Sequence, residues 1–134
     1  MMKLKCLVLA GMMLAAILLL GCINSSDLQP TGKEKFAVSI KVISNSQIIV
    51  DQNISVQKGK TALQALQETA LVETKEYSFG KFITGISGIN STSSEYWSFY
   101  INGEYAQVGA DSYVIESPVE LTFKLESLSN FPAE

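Results

Sequence analysis

The stretch Tyr96-Trp97-Ser98-Phe99-Tyr100-Ile101-Asn102-Gly103-Glu104-Tyr105-Ala106-Gln107-Val108 decides the fold. Asn-Gly between two alternating runs is the strongest short-range hairpin signal, because a type I′ turn needs positive φ at both central residues. A two-residue turn also sets the register. It puts Ile101 opposite Glu104, Tyr100 opposite Tyr105, Phe99 opposite Ala106, Ser98 opposite Gln107 and Trp97 opposite Val108. Alternation then sorts the side chains by face. Trp97, Phe99, Ile101, Ala106 and Val108 share one face, which reads as core. Tyr96, Ser98, Tyr100, Tyr105 and Gln107 share the other, a tyrosine stripe. Tyrosine combines a large contact area with few rotamers, so the stripe suits a recognition surface. Ordinary cross-strand pairing of Tyr100 with Tyr105, about 0.2–1 kcal/mol, explains it more simply.

Upstream, Phe36, Val38, Ile40 and Val42 alternate with polar or small residues, as a half-buried strand does. After the turn Ser44-Asn45-Ser46, residues Ile48, Val50, Ile54 and Val56 continue at the same parity, with a bulge or kink expected at Asp51–Asn53. The period changes beyond Lys58-Gly59. Thr61 and Gln64 have the spacing of a capping box, in which each side chain satisfies the other residue's free backbone N–H. Leu63, Leu66 and Ala70 recur at helical spacing, predicting a helix over about 62–72. Strands follow at Lys81–Ile86, Tyr96–Ile101, Glu104–Val108 and Val119–Leu125, with a loop over Ser87–Ser94 and a tight connection over Gly109–Ser112. The predicted order is β-β-α-β-β-β-β, class α+β. It reads as a β-grasp-like mixed sheet with one helix packed on one face.

The N-terminus reads as an address. Lys3 and Lys5 precede an apolar run over Cys6–Leu20, and small residues Gly21 and Cys22 close it. Leu19-Leu20-Gly21-Cys22 resembles a lipobox, the processing site of prokaryotic lipoproteins. Residues 1–21 are therefore expected to be a lipoprotein signal peptide, with the lipid on Cys22. An uncleaved membrane anchor is the alternative. Either reading places the remainder on the extracytoplasmic side of the cell membrane, and a two-chain lipid would hold it there stably. Residues 22–35, rich in Ser, Asn, Asp, Pro, Gly and Lys, read as a flexible spacer. The domain is expected over 36–126, and the tail 127–134 shows no pattern. The chain's two cysteines fall in the signal and at the lipid site, leaving none for a disulfide within the domain.

The net charge is −3, and the sequence contains neither His nor Arg. The absent His excludes Ser-His-Asp and Cys-His catalysis and His-based metal sites. An acidic chain without Arg is also poorly suited to nucleic acid, whose phosphates supply most of the binding energy. Ser55-Val56-Gln57-Lys58 and Ser78-Phe79-Gly80-Lys81 fit S-x-x-K, but the companion motifs of penicillin-recognising enzymes are missing. Gly85-Ile86-Ser87-Gly88 lacks the spacing of a nucleophile elbow. Asp51 and Asn53 lack the other ligands of a calcium loop. Glu73, Glu76, Glu116 and Glu120 read as solvated surface charge. Asn24, Asn53 and Asn90 begin N-x-S/T sequons, a pattern that arises easily in a Ser- and Asn-rich chain. No catalysis and no bound metal are expected.

Four stretches together resemble the C-terminal β-domain of the transcobalamin and intrinsic factor family, and more closely its prokaryotic transcobalamin-C-terminal-like members. They are Val56–Leu66, Gly80–Gly88, Tyr96–Gly103 and Val108–Tyr113. The resemblance implies a ligand face for cobalamin or another corrinoid, bound non-covalently. Carried onto this sequence, it assigns ligand contacts to Tyr77, Ser78 and Phe79 in a loop and to Trp97, Phe99 and Tyr100 in a strand. Family carriers complete the site with a large helical domain that this chain does not contain, so a partner domain or a homodimer is expected to close it. With no imidazole for cobalt, binding would rest on apolar contacts and backbone hydrogen bonds. The competing expectation is an adhesion module for protein or glycan at the cell surface, with no small-molecule ligand.

Overall fold

The computed structural model describes residues 33–131. The expected signal, Cys22, residues 22–32 of the spacer and residues 132–134 lie outside the described residues. The class is α+β and dominated by sheet. β1 (Lys35–Ser44) and β2 (Gln47–Gln57) form a hairpin, followed by α1 (Ala62–Gln67). Then come β3 (Val72–Tyr77), β4 (Gly80–Ile86), β5 (Ile89–Asn90), β6 (Glu95–Ile101), β7 (Glu104–Tyr105) and β8 (Val119–Ser127), with a closing 3-10 turn at Leu128–Asn130. A five-stranded sheet has the order β2-β1-β8-β6-β7, and a three-stranded sheet has the order β3-β4-β5. The larger sheet is mixed: β1 runs parallel to β8, and its other pairings are antiparallel.

The predicted turns form for the predicted reasons. Asn102 and Gly103 take φ of 50° and 82°, and Tyr100 pairs with Tyr105 and Ile101 with Glu104. Thr61 Oγ1 accepts from Gln64 N at 3.2 Å, and Gln64 Oε1 accepts from Thr61 N at 2.9 Å, completing the capping box. The core lies between the larger sheet and a layer made by α1 and β4. Val38, Ile40 and Val42 of β1, Leu121 and Phe123 of β8, and Trp97 and Phe99 of β6 bury against Leu63, Leu66, Ile83, Ile86 and Ile115. Each fully buried side chain of this size contributes about 1.5–3 kcal/mol relative to an exposed one.

Several expectations need correction. The helix stops at Gln67, not near 72, and Leu71 is 73% exposed. The chain turns there because Val72–Tyr77 pairs with Gly80–Ile86 as a hairpin. A further short strand, β5, follows a turn at Ser87 and Gly88, which take φ of 50° and 79°. The described elements therefore include two strands absent from the predicted order. The irregularity in β2 is at Ile49, not at Asp51–Asn53: Val42 pairs with Val50, and Ile43 with Ile48. That extra residue flips the parity, so Ile48 faces outward and is 61% exposed. β7 stops at Tyr105, and Val108, expected in the core, is 49% exposed. The segment peels away because Ala110 and Tyr113 carbonyls accept from the first turn of α1, at Leu63 N (2.8 Å) and Ala62 N (2.9 Å).

Candidate functional site

Two features of the described surface are open to another molecule, and each lies beside a hairpin turn. The first is an open groove of about 490 Å³ beside the β6–β7 turn, lined by Ile101, Asn102, Tyr105, Gln107, Val108 and Tyr113 among others. That volume lies within the range of small-ligand sites. Its base is firm: Ile101, Ala106 and Tyr113 are half-buried against the core, and the Tyr113 ring meets Phe99 edge-on at 6.2 Å. Asn102 Oδ1 is engaged by Glu120 N at 2.9 Å, which fixes the turn. Asn102 and Gln107 contribute amides, Tyr105 and Tyr113 hydroxyls and Glu104 a carboxylate, beside the apolar Ile101, Ala106 and Val108.

The second feature is the tip of the β3–β4 hairpin. Tyr77 and Phe79 stack with centroids 5.3 Å apart and planes 5° from parallel. Phe82 meets Tyr77 edge-on at 6.4 Å. Tyr77, Phe79 and Phe82 are 41%, 77% and 42% exposed. Ser78 is exposed in the turn between the two stacked rings, and Lys75 Nζ stands 5.4 Å from the Tyr77 centroid.

Asp111 connects the two features. Its Oδ2 accepts from Lys81 N at 2.7 Å, across 30 residues of sequence. It sits in the turn Gly109–Ser112, between groove residues Val108 and Tyr113, and so ties the groove wall to the first residues of β4. The fit requires glycine at position 80: its φ is 133°, and a Cβ there would lie 2.7 Å from Asp111 Oδ2.

The six ligand positions implied by the resemblance fall in three environments. Tyr77, Ser78 and Phe79 gather at the exposed hairpin tip. Trp97 and Phe99 are core residues, 5% and 8% exposed. Trp97 Nε1 donates to the Ile89 carbonyl at 3.1 Å, and Phe99 stacks on Phe123 at 5.0 Å. Tyr100 lies on the opposite face of the sheet from Trp97 and Phe99. Its hydroxyl donates to Glu126 Oε2 at 2.9 Å, and Lys124 Nζ stands 4.5 Å from its ring centroid. Burial and the Glu126 carboxylate raise the Tyr100 pKa above its ordinary value.

The predicted tyrosine stripe is partly covered. Tyr96 is buried, and Phe131 packs on it at 5.3 Å and on Tyr105 at 6.1 Å. Among the described residues the Tyr96 hydroxyl has no hydrogen-bond partner of good geometry. Burial, and then the nearby Tyr105 hydroxyl, raise its pKa strongly.

Residues 59–127 match the family described as Domain of unknown function (DUF4430). This chain belongs to that family. The DUF4430 region takes in α1, both surface features and β8, and leaves β1 and β2 outside it. No curated protein matches the sequence. Among solved structures, the chain is similar to haptocorrin in complex with Cbi, with 24% identity and a TM-score of 0.64 over 71% of this chain. It spans 26% of the haptocorrin chain. It is also similar to a candidate metal binding protein from Ruminococcus gnavus ATCC 29149, with 18% identity and a TM-score of 0.57, over 69% of this chain and 97% of the other. At these identities the likeness is one of fold. Among the described residues no three His, Cys, Asp or Glu side chains are grouped to hold a metal ion.

Asp111, Tyr113 and Val108 were not among the predicted contacts. Their stretch, Val108–Tyr113, carries part of the family resemblance. What it does not reveal is the reach of Asp111 back to Lys81.

Proposed function

We propose that this DUF4430 domain is the ligand-binding head of a membrane-tethered extracytoplasmic lipoprotein, held by lipid on Cys22, and that its ligand is a corrinoid or a similarly flat, largely apolar molecule. The groove beside the β6–β7 turn carries the reading: it is open, more apolar than polar, and edged by amide and hydroxyl groups and the Glu104 carboxylate. Such a composition suits a non-covalent ligand whose orientation is fixed by a small number of polar contacts. The fold shared with haptocorrin, whose crystal structure contains Cbi, supports the ligand class. The parallel β1–β8 pair between two antiparallel arms fits the β-grasp-like, transcobalamin-like reading.

In this proposal Tyr77, Ser78 and Phe79 extend the contact surface beyond the groove, with Asp111 holding their hairpin against it. Trp97 and Phe99 act from beneath, as the packed floor, and Tyr100 braces the sheet from its far face. The groove grips only part of a corrinoid. A buried aromatic or aliphatic side chain contributes about 1.5–3 kcal/mol, and the lost freedom of the ligand offsets much of that. Tight binding therefore needs a partner domain or a second copy above the groove. The second reading, an adhesion module for protein or glycan, is favoured by the exposed Tyr77–Phe79 stack alone.

The test is a titration of the full-length chain in detergent with cobinamide and cyanocobalamin, followed by calorimetry and the visible spectrum. Saturable binding that Val108→Glu abolishes, with the circular dichroism unchanged, supports the ligand reading. Neither heat nor spectral change at about millimolar protein, a limit set by the ~4 kcal/mol that such an affinity represents, overturns it and leaves the adhesion module.

A further inference from the structure

The four sheet edges of the described domain are not equally guarded. An unpaired edge presents backbone donors and acceptors to any passing strand, so natural proteins keep edges short, charged or bulged. β7 and β5 are two residues each. β3 is six residues long and carries Glu73, Lys75 and Glu76. β2 is eleven residues long, Gln47-Ile48-Ile49-Val50-Asp51-Gln52-Asn53-Ile54-Ser55-Val56-Gln57, and Asp51 is its single charge. Its bulge lies near one end, at Ile49, leaving Val50–Gln57 in unbroken register with β1.

Within that open run, Val50–Ile54 is self-complementary about Gln52. Reversed upon itself, it sets Val50 against Ile54, Asp51 against Asn53, and Gln52 against Gln52. Val50 and Ile54 lie on the core-facing side, opposite Val42 and Val38 of β1, yet both are only half-buried. Pairing would cover them with each other as β-branched cross-strand neighbours. Asp51 and Asn53 are exposed, and the reversed register gives each carboxylate an amide donor on the other strand. A register centred on Asp51 would instead set two carboxylates side by side, which is unfavourable. The charge pattern thus disfavours the alignment centred on Asp51, and the one centred on Gln52 joins the carboxylate–amide pairs to apolar pairing of Val50 with Ile54.

We infer that β2 is a homodimer interface, in which two copies pair antiparallel about Gln52 and join their five-stranded sheets into one. β7 and its groove lie at the end of the sheet opposite β2. The two grooves would therefore stand at the far ends of the joined sheet, open and unshared. This inference is independent of the proposed ligand, and the closed two-fold contact stops at two copies.

The experiment is the molar mass of the full-length chain in detergent, by light scattering and by sedimentation across a concentration series, with circular dichroism on each variant. The expected species is a dimer. Asn53→Asp sets carboxylates opposite each other at both symmetric positions and is expected to weaken it by about fivefold to tenfold. The exchange variant D51N/N53D restores carboxylate opposite amide and is expected to recover the unsubstituted affinity. Under oxidation Gln52→Cys is expected to give a crosslinked dimer, since directly opposed residues lie within disulfide reach, whereas Ser55→Cys gives none. Both are read against the unsubstituted chain, which carries Cys6 and Cys22. A monomer at every concentration, a dimer indifferent to Asn53→Asp, equal crosslinking at Ser55, or growth past two copies would each overturn the inference. The last outcome would instead point to open-ended strand addition, and association only with a different protein would assign the edge to a foreign strand.

Discussion

Trp97 and Phe99 on β6 are 5% and 8% exposed, whereas Tyr77 and Phe79 at the β3–β4 turn are 41% and 77% exposed. All four are aromatic residues beside a hairpin, and the resemblance implies the same role for each. Their surroundings separate them. β6 has β8 on one side and β7 on the other, and the layer of α1 and β4 lies over its inner face. The tip of β3–β4 has its own turn and the one hydrogen bond from Lys81 N to Asp111. An aromatic ring on β6 is held by packing and contributes to stability whether or not a ligand exists. A ring at the hairpin tip gains little from the fold, so its stack is free to be used by another molecule. The lesson is that aromatic type and family position identify a region, while the number of packed layers around each ring decides whether it supports a site or touches what binds there.

The largest expected effect breaks or upholds this division directly. Trp97→Ala and Phe99→Ala should each destabilise the domain by about 3–5 kcal/mol, the usual cost of a large cavity in a packed core. Trp97→Ala also removes the indole hydrogen bond to the Ile89 carbonyl. Urea unfolding gives the values. A Trp97→Ala chain of unchanged stability that nonetheless loses corrinoid binding would move Trp97 to the ligand face and undo the comparison.

Local chemistry was readable wherever it was self-contained. Asn102-Gly103 and the Thr61/Gln64 capping box depend on residues within four positions of each other, and both form as written. β3 is not legible in the sequence because Glu73, Thr74, Lys75 and Glu76 have no apolar alternation. The strand is exposed over most of its length, and its cross-strand pairing to β4 is what makes it a strand. The sequence predicts too long a helix because Ala70 keeps the apolar spacing while the chain has already turned. Val108 looked like core because nothing nearby signals that the 106–113 segment leaves the sheet to meet α1. Asp111 joins Lys81 over a separation no local pattern encodes, and Phe131 finds Tyr96 and Tyr105 from a tail with no periodicity.

Asp111 offers the next sharpest test, because it couples the exposed aromatic tip to the groove. Asp111→Ala removes a charge-assisted hydrogen bond at an exposed position. It should lower stability by about 1 kcal/mol, below the 1.5–3 kcal/mol of such bonds when shielded. Hydrogen exchange should show the Lys81 amide losing protection while β1 and β8 amides keep theirs relative to the global stability. Thr61→Ala should cost a similar ~1 kcal/mol by removing the cap of α1, but without changing exchange at Lys81. Equal behaviour of the two variants would show that Asp111 acts on the whole domain and not on the hairpin.

Tyr96→Phe probes the covered face of β6. At neutral pH it should be neutral or slightly stabilising, within about 1 kcal/mol, because it removes a buried hydroxyl lacking a good partner. At high pH the variant should gain on the unsubstituted chain. The Tyr96 and Tyr100 pKa values are both raised from 10.0 in the folded state. Above that value the unfolded chain releases tyrosine protons that the folded chain retains, so stability falls as pH rises. Urea midpoints from pH 8 to about 11.5, chosen to straddle the ordinary tyrosine value, should drop less steeply for Tyr96→Phe. Parallel curves would assign the alkaline loss to other groups.

The smallest expected effect on stability belongs to Phe79→Ala, and its smallness is informative. Phe79 is 77% exposed, and its stack with Tyr77 is itself at the surface. Removing it should change the unfolding free energy by no more than about 0.5 kcal/mol, as for surface substitutions generally. If the tip belongs to the ligand face, the same variant should weaken corrinoid binding several-fold, so binding and stability would respond in the reverse order from Trp97→Ala. If binding survives Phe79→Ala but fails with Val108→Glu, the groove alone holds the ligand and the aromatic tip is left for another partner. If Phe79→Ala destabilises the domain as much as Phe99→Ala does, the tip is part of the packed structure, and exposure has ceased to distinguish the two aromatic groups.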